Sequence, residues 1–211
     1  MEVLAVALMI ISISVFSFRD YKISISCYAL NTICLVLLFF VMASKFDAGS
    51  LFSWAIIAFI TKVVLVPGIL FWTLSKISLT HENDPYTGFF LSPVITLAFS
   101  LGLAFLLTPV FMKFAMIKSE IVVFAAIFTF WVGVCGFILR RSFLKQILAY
   151  CLIENAIHLN LATNAYNASS LVELGILSDA VFAIAIMAVL AVRFNNVFGD
   201  QNTNLASELK G

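Results

Sequence analysis

Seven mostly apolar stretches, joined by short polar segments, limit what this chain can become. They cover about 2–18, 23–44, 51–75, 89–111, 120–139, 144–166 and 171–193. A helix needs roughly 20 apolar residues to cross the hydrocarbon of a bilayer, and it satisfies its own backbone hydrogen bonds while doing so. The expected fold is therefore all-α: a polytopic transmembrane bundle of about seven spans with no soluble domain. The longest joint, "KISLTHENDPYTG", is too short to carry one. Composition agrees, with 63% hydrophobic and 11% charged residues, whereas soluble domains run near half apolar and a quarter charged. A formal net charge of +1 leaves no electrostatic footprint for nucleic acid.

The first stretch, "MEVLAVALMIISISVFSF", has neither a basic leader nor a small-residue cleavage site, and reads as a retained helix. Cys27, Cys34, Cys135 and Cys151 all lie within apolar runs and form no CxxC pair. They read as small packing residues, not as zinc or iron–sulfur ligands.

Lysine and arginine in short joints orient a membrane protein. With seven spans, Arg19, Lys22, Lys76, Arg140, Arg141, Lys145, Arg193 and Lys210 share one side, against Lys45, Lys113 and Lys118 on the other. This bias predicts a cytoplasmic C-terminus and an outside N-terminus. "RRSFLKQ" then reads as a basic cytoplasmic corner that anchors topology, or that meets an acidic partner or lipid headgroups. The tail "NNVFGDQNTNLASELKG" reads as polar, soluble and mobile.

Against this background four ionisable residues stand out inside spans: Lys62, Glu154, Glu173 and Asp179. Each intramembrane charge costs at least about 2.5–3.5 kcal/mol on insertion scales. Lys62 lies 14 residues from Lys76, Glu154 lies 13 from Arg141 and Asp179 lies 14 from Arg193. At 1.5 Å per residue each sits roughly 20 Å from its own basic flank, so three helices put an ionisable group in one layer. Glu173 falls near the outer interface. Two carboxyls and an amine at one level suit proton relay, since burial raises a carboxyl pKa and lowers an amine pKa. The alternative is a fixed ion pair that holds helices together.

His158 follows Glu154 by one turn on the same face, as a second relay group or hydrogen-bond partner, or as a histidine that merely packs. Asn155, Asn160 and Asn164 add polarity to that helix. Pro67 removes a helical donor five residues after Lys62, which produces either a kink or a freed carbonyl beside the amine.

"AFITKVVLVP" (58–67), "RRSFLKQILAYCLIENAIHL" (140–159) and "LVELGILSDAVFAI" (171–184) together resemble the hydrogenase-4 component E family. These are membrane subunits of formate-hydrogenlyase-type, group 4 [NiFe] hydrogenases, and the likeness spans essentially the whole chain. The last three helices also resemble the small K-type membrane subunit of complex I and the related subunit of multisubunit sodium/proton antiporters. There a double arginine precedes a helix with a buried glutamate, and the next helix carries another. Asp179 matches the second glutamate by its distance to Arg193. Aligned on Asn155 and Ala156, the first falls at Cys151, one turn before Glu154.

The resemblance implies residues 1–118 as an N-terminal four-helix region, 119–194 as the K-like region and 195–211 as a tail. It implies a non-catalytic subunit in the inner membrane of a bacterium, with no cofactor of its own. Nickel–iron and iron–sulfur clusters would sit in partner subunits. Partners would be antiporter-like and H-type anchor membrane subunits, the soluble hydrogenase arm and the lipid bilayer. Two rivals remain at this level: a structural scaffold, and a stand-alone cation or proton transporter, although the two halves show no convincing repeat.

Overall fold

The computed structural model describes residues 1–77, 79–82, 85–166 and 170–208, with the side chains of 170–174, 176, 177 and 206–208 outside that description. Helices α1 (Glu2–Ser17), α2 (Tyr21–Lys45), α3 (Ser50–Ala58), α4 (Val66–Lys76), α5 (Leu91–Phe114), α6 (Glu120–Leu139), α7 (Phe143–Asn164) and α8 (Ser170–Phe198) follow in order. A π-helical segment, Phe59–Leu65, joins α3 and α4 into one continuous rod, Ser50–Lys76. The rods match the seven apolar stretches. Five of them, α2, the α3–α4 rod, α5, α6 and the part of α8 from Ser178, are long and apolar enough to cross a membrane on their own. α1 is a shorter apolar helix of 16 residues. α7 is long enough, at 22 residues, but carries the polar side chains described below.

Local chemistry sets the ends. Asp20 caps α2 by accepting from the backbone N–H of Lys22 at 2.7 Å, satisfying a donor that the first turn leaves free. At Pro67 the missing N–H prevents an ordinary α-helical ladder. The chain answers with π geometry, in which the Val66 N–H reaches back five residues to the Thr61 carbonyl. π segments of this kind are rare and cluster at functional sites.

Close packing around α6 depends on two glycines. A Cβ on Gly133 would lie 3.0 Å from the Ala149 carbonyl oxygen and 2.7 Å from an Ile153 side-chain carbon on α7, and one on Gly136 would enter the Phe16 ring of α1. α1, α6 and α7 thus pack as a tight central group.

The interior is divided in two. One apolar core takes Val15 and Phe16 of α1, Tyr21, Ile25 and Tyr28 of α2, Val66 and Leu70 of α4, and Leu144 to Leu152 of α7. The other takes Leu8 of α1, Leu35 to Met42 of α2, Leu51 to Ala58 of α3, and Leu159 and Ala162 of α7. On each of these rods a buried polar residue marks the junction: Ser12, Asn31 and Thr32, Lys62, and Asn155 with His158.

Two expectations require correction. The segment after α8 folds back on the α6–α7 corner. Asn202 forms an antiparallel bridge with Ser142, the Phe143 N–H donates to the Gln201 carbonyl at 2.9 Å, and the Thr203 N–H donates to the Arg141 carbonyl at 2.8 Å. Gln201 is buried and donates to the Ala191 carbonyl at 3.1 Å, so polar composition here reflects backbone pairing and not a free tail. Likewise Arg140 and Lys145 do not project from a surface corner: both are fully buried.

Candidate functional site

Lys62 leaves the π segment toward α7. Its ammonium nitrogen lies 3.7 Å from Glu154 Oε2 and donates to the Glu154 backbone carbonyl at 3.2 Å. The lysine side chain is 4% exposed and that of the glutamate 14%, so the pair is nearly enclosed. Lys62 and Glu154 thus meet at one level of the bundle. Glu154 Oε2 is buried without a hydrogen-bond partner, as is Asn155 Oδ1.

A separate hydrogen-bonded chain runs across the bundle from Asn155, the residue after Glu154. Asn155 Nδ2 donates to Asn31 Oδ1 and Thr32 Oγ1, both at 3.1 Å. Asn31 Nδ2 donates to Ser12 Oγ at 2.9 Å and to the Leu8 carbonyl at 3.0 Å. Ser12 and Thr129 hydroxyls meet at 3.3 Å. The chain links α7, α2, α1 and α6 at the junction between the two apolar cores. Tyr28 and Cys151, both buried, lie within electrostatic reach of Glu154.

His158 sits one turn along α7 within an aromatic cage. Its ring stacks on Trp54, with centroids 5.7 Å apart, and meets the edge of Phe39 at 5.2 Å. Both ring nitrogens are buried without hydrogen-bond partners, and Lys62 is within electrostatic range. Buried polar atoms are nearly always satisfied by protein or water, and no protein group reaches these nitrogens or the Glu154 oxygen within hydrogen-bond distance.

Asp179 stands apart from this cluster. Its side chain is exposed on α8, and Tyr150 of α7 lies within electrostatic reach of both Asp179 and Glu154. The Glu173 side chain and residues 167–169 fall outside the described residues. Among the described residues, no three His, Cys, Asp or Glu side chains converge as a metal-ligand set.

A second charged cluster, at the end bearing most arginine and lysine, is absent from the sequence reading. Glu82, from the loop after α4, is buried and meets Arg140 Nη1 at 2.9 Å and Lys145 Nζ at 3.9 Å. Lys145 also donates to the carbonyls of Val15 at 3.0 Å and Phe18 at 2.8 Å and to the Ser24 hydroxyl, while Arg140 donates to the Phe16 carbonyl. The two cations thus satisfy carbonyls left free where α1 ends. Burial raises the Glu82 carboxyl pKa, opposed by Lys145 and Arg140, and lowers that of the Arg140 guanidinium, opposed by Glu82. The loop is laid against the α1–α2 joint by Tyr21 N–H to Thr80 carbonyl at 3.1 Å and Glu82 N–H to Arg19 carbonyl at 2.9 Å. No spacing rule joins Glu82 to residues 58 and more positions away; only the tertiary path of the loop does.

Comparison with known proteins decides the family. The chain is 34% identical over 209 residues to hydrogenase-4 component E of Escherichia coli K12, covering 99% of this chain and 96% of that protein. The corresponding proteins of Escherichia coli O157:H7 and Shigella flexneri match equally. The chain belongs to the hydrogenase-4 component E family. Within it, residues 121–211 match the family profile described as NADH-ubiquinone/plastoquinone oxidoreductase chain 4L. That segment holds α6, α7 and α8, and so contains Glu154, His158 and Asp179. No solved structure matches the chain. It is a polytopic, all-α membrane subunit of a complex I-like family.

Proposed function

We propose that this component E homologue is a non-catalytic subunit of a hydrogenase-4 or formate-hydrogenlyase-type complex in a bacterial inner membrane. It joins antiporter-like and H-type membrane subunits in a proton-translocating arm and helps anchor the soluble hydrogenase arm. Nickel–iron and iron–sulfur chemistry belongs to those partners. The basic bias of the joints supports an outside N-terminus and a cytoplasmic C-terminus.

The observation that carries the reading is the enclosed Lys62–Glu154 pair. An ion pair removed from water keeps its charges only against a large desolvation cost. A carboxyl and an amine held 3.7 Å apart feel each other's charge directly, with little water between to screen it. Glu154 carries the proton and Lys62 tunes its release. His158 extends the relay along α7, with Asp179 and Glu173 as further stations. One observation favours helix glue instead: Lys62 also donates to the Glu154 backbone carbonyl, a bond that joins two rods whatever the protonation state. Deleting the subunit separates these roles from catalysis. The hydrogenase module should stay active with artificial electron carriers while membrane-coupled activity falls. Loss of activity in the isolated catalytic module would contradict the proposal.

A further inference from the structure

Two rods have few buried residues. In the apolar stretches of α5 and of α8 from Ser178, only 22% of the residues are buried. Their uncovered faces differ in chemistry. α5 shows Leu97, Phe99, Phe105, Leu106 and Val110, and carries no charge from Leu91 to Met112. Lipid chains suit such a face. α8 shows Phe182 at 68% and Ile186 at 61% exposure, one and two turns beyond the exposed Asp179. These three positions share one helix face.

Asp179 lies 14 residues from Arg193, roughly 20 Å in a helix, at the depth of the Lys62–Glu154 pair. Among the described residues no cation lies within ion-pair distance of it. Lipid hydrocarbon cannot solvate a carboxylate at that depth, and Asp179 is too far from the interface to reach it by extending. Glu154 is 14% exposed, and Tyr150 lies within reach of both carboxylates.

From this we infer that the Asp179–Phe182–Ile186 face of α8 is a subunit interface, covered by a transmembrane helix of another subunit that brings a lysine or arginine to the level of Asp179. The apolar residues on either side supply packing and exclude water, and the carboxylate fixes the depth of the partner. The inference rests on the reading of the chain as part of a larger membrane complex.

The test uses the whole complex in native membranes. A photoreactive phenylalanine is placed at Phe182, with the same group at Phe105 as the lipid-facing reference. The expected product at 182 is a protein adduct whose peptide lies in a transmembrane segment with a lysine or arginine within two turns. Asp179→Lys should reduce recovery of that adduct at least tenfold, and Asp179→Glu should keep it. Lipid adducts alone at 182, or an adducted segment without a basic residue, would overturn the interface. Yield unchanged in Asp179→Lys would also overturn it. These outcomes are independent of proton coupling, so failure of the relay in Glu154→Gln and failure of this surface are separately visible.

Discussion

Lys62 and Glu154, 92 residues apart in sequence, meet at 3.7 Å in the junction between two apolar cores. Removing one partner of a buried pair strands the other charge, at a cost of about 3–5 kcal/mol. Lys62→Met should therefore lower the thermal stability of the purified complex markedly. The double variant Lys62→Met with Glu154→Gln should recover most of the loss, because neither charge is then stranded. Thermal denaturation followed by size exclusion reports this, and a double variant as unstable as the two single losses combined would rule out direct coupling.

His158 tests relay against packing. Its cage of Phe39 and Trp54 accepts another aromatic ring, and no hydrogen bond to a protein group is lost with its nitrogens. His158→Phe should leave assembly intact while lowering proton movement coupled to hydrogenase turnover several-fold. Coupling equal to the unaltered complex would assign the histidine to packing.

Asn155 holds the polar chain together by donating to both Asn31 and Thr32. Asn155→Ala leaves those acceptors unmatched, which costs about 1–3 kcal/mol in a buried site. Asn155→Asp should be worse, because it replaces a donor by a third acceptor and sets a second carboxyl beside Glu154. The order of melting temperatures, unaltered above Ala above Asp, is the expected result.

Glu82 gives a pH dependence with a definite sign. Its carboxyl pKa is raised in the fold, chiefly by burial, so the folded loop binds a proton more tightly than the free loop does. That contribution is complete below the ordinary carboxylate pKa and is lost as pH rises through the folded value. Backbone amides of residues 79–82 should exchange faster, after correction for intrinsic rates, as pH rises across that window. Glu82→Gln should remove the dependence. Slower corrected exchange with rising pH would mean that the pairing with Arg140 and Lys145 outweighs burial.

The helical rods and the level of Lys62 and Glu154 were legible because both follow from one-dimensional quantities: apolar run length and 1.5 Å of rise per residue. The rest of the junction was not. Ser12, Asn31, Thr32 and Thr129 occur in apolar helices where isolated small polar residues are unremarkable, and their convergence depends on how α1, α2 and α6 rotate against α7. Arg140 and Lys145 looked like interface anchors because sequence distance to a helix end says nothing about which carbonyls lie behind it. The exposure of Asp179 was equally hidden, since depth along a helix does not give its direction.

The central claim is that Glu154 moves a proton. Glu154→Gln keeps the shape of the side chain and removes the titrating group. Hydrogenase turnover and proton movement should be followed together in sealed membrane vesicles, with co-purification as the check on assembly. The account predicts an assembled complex whose proton movement per turnover falls several-fold. An assembled complex with proton movement equal to the unaltered one would contradict it.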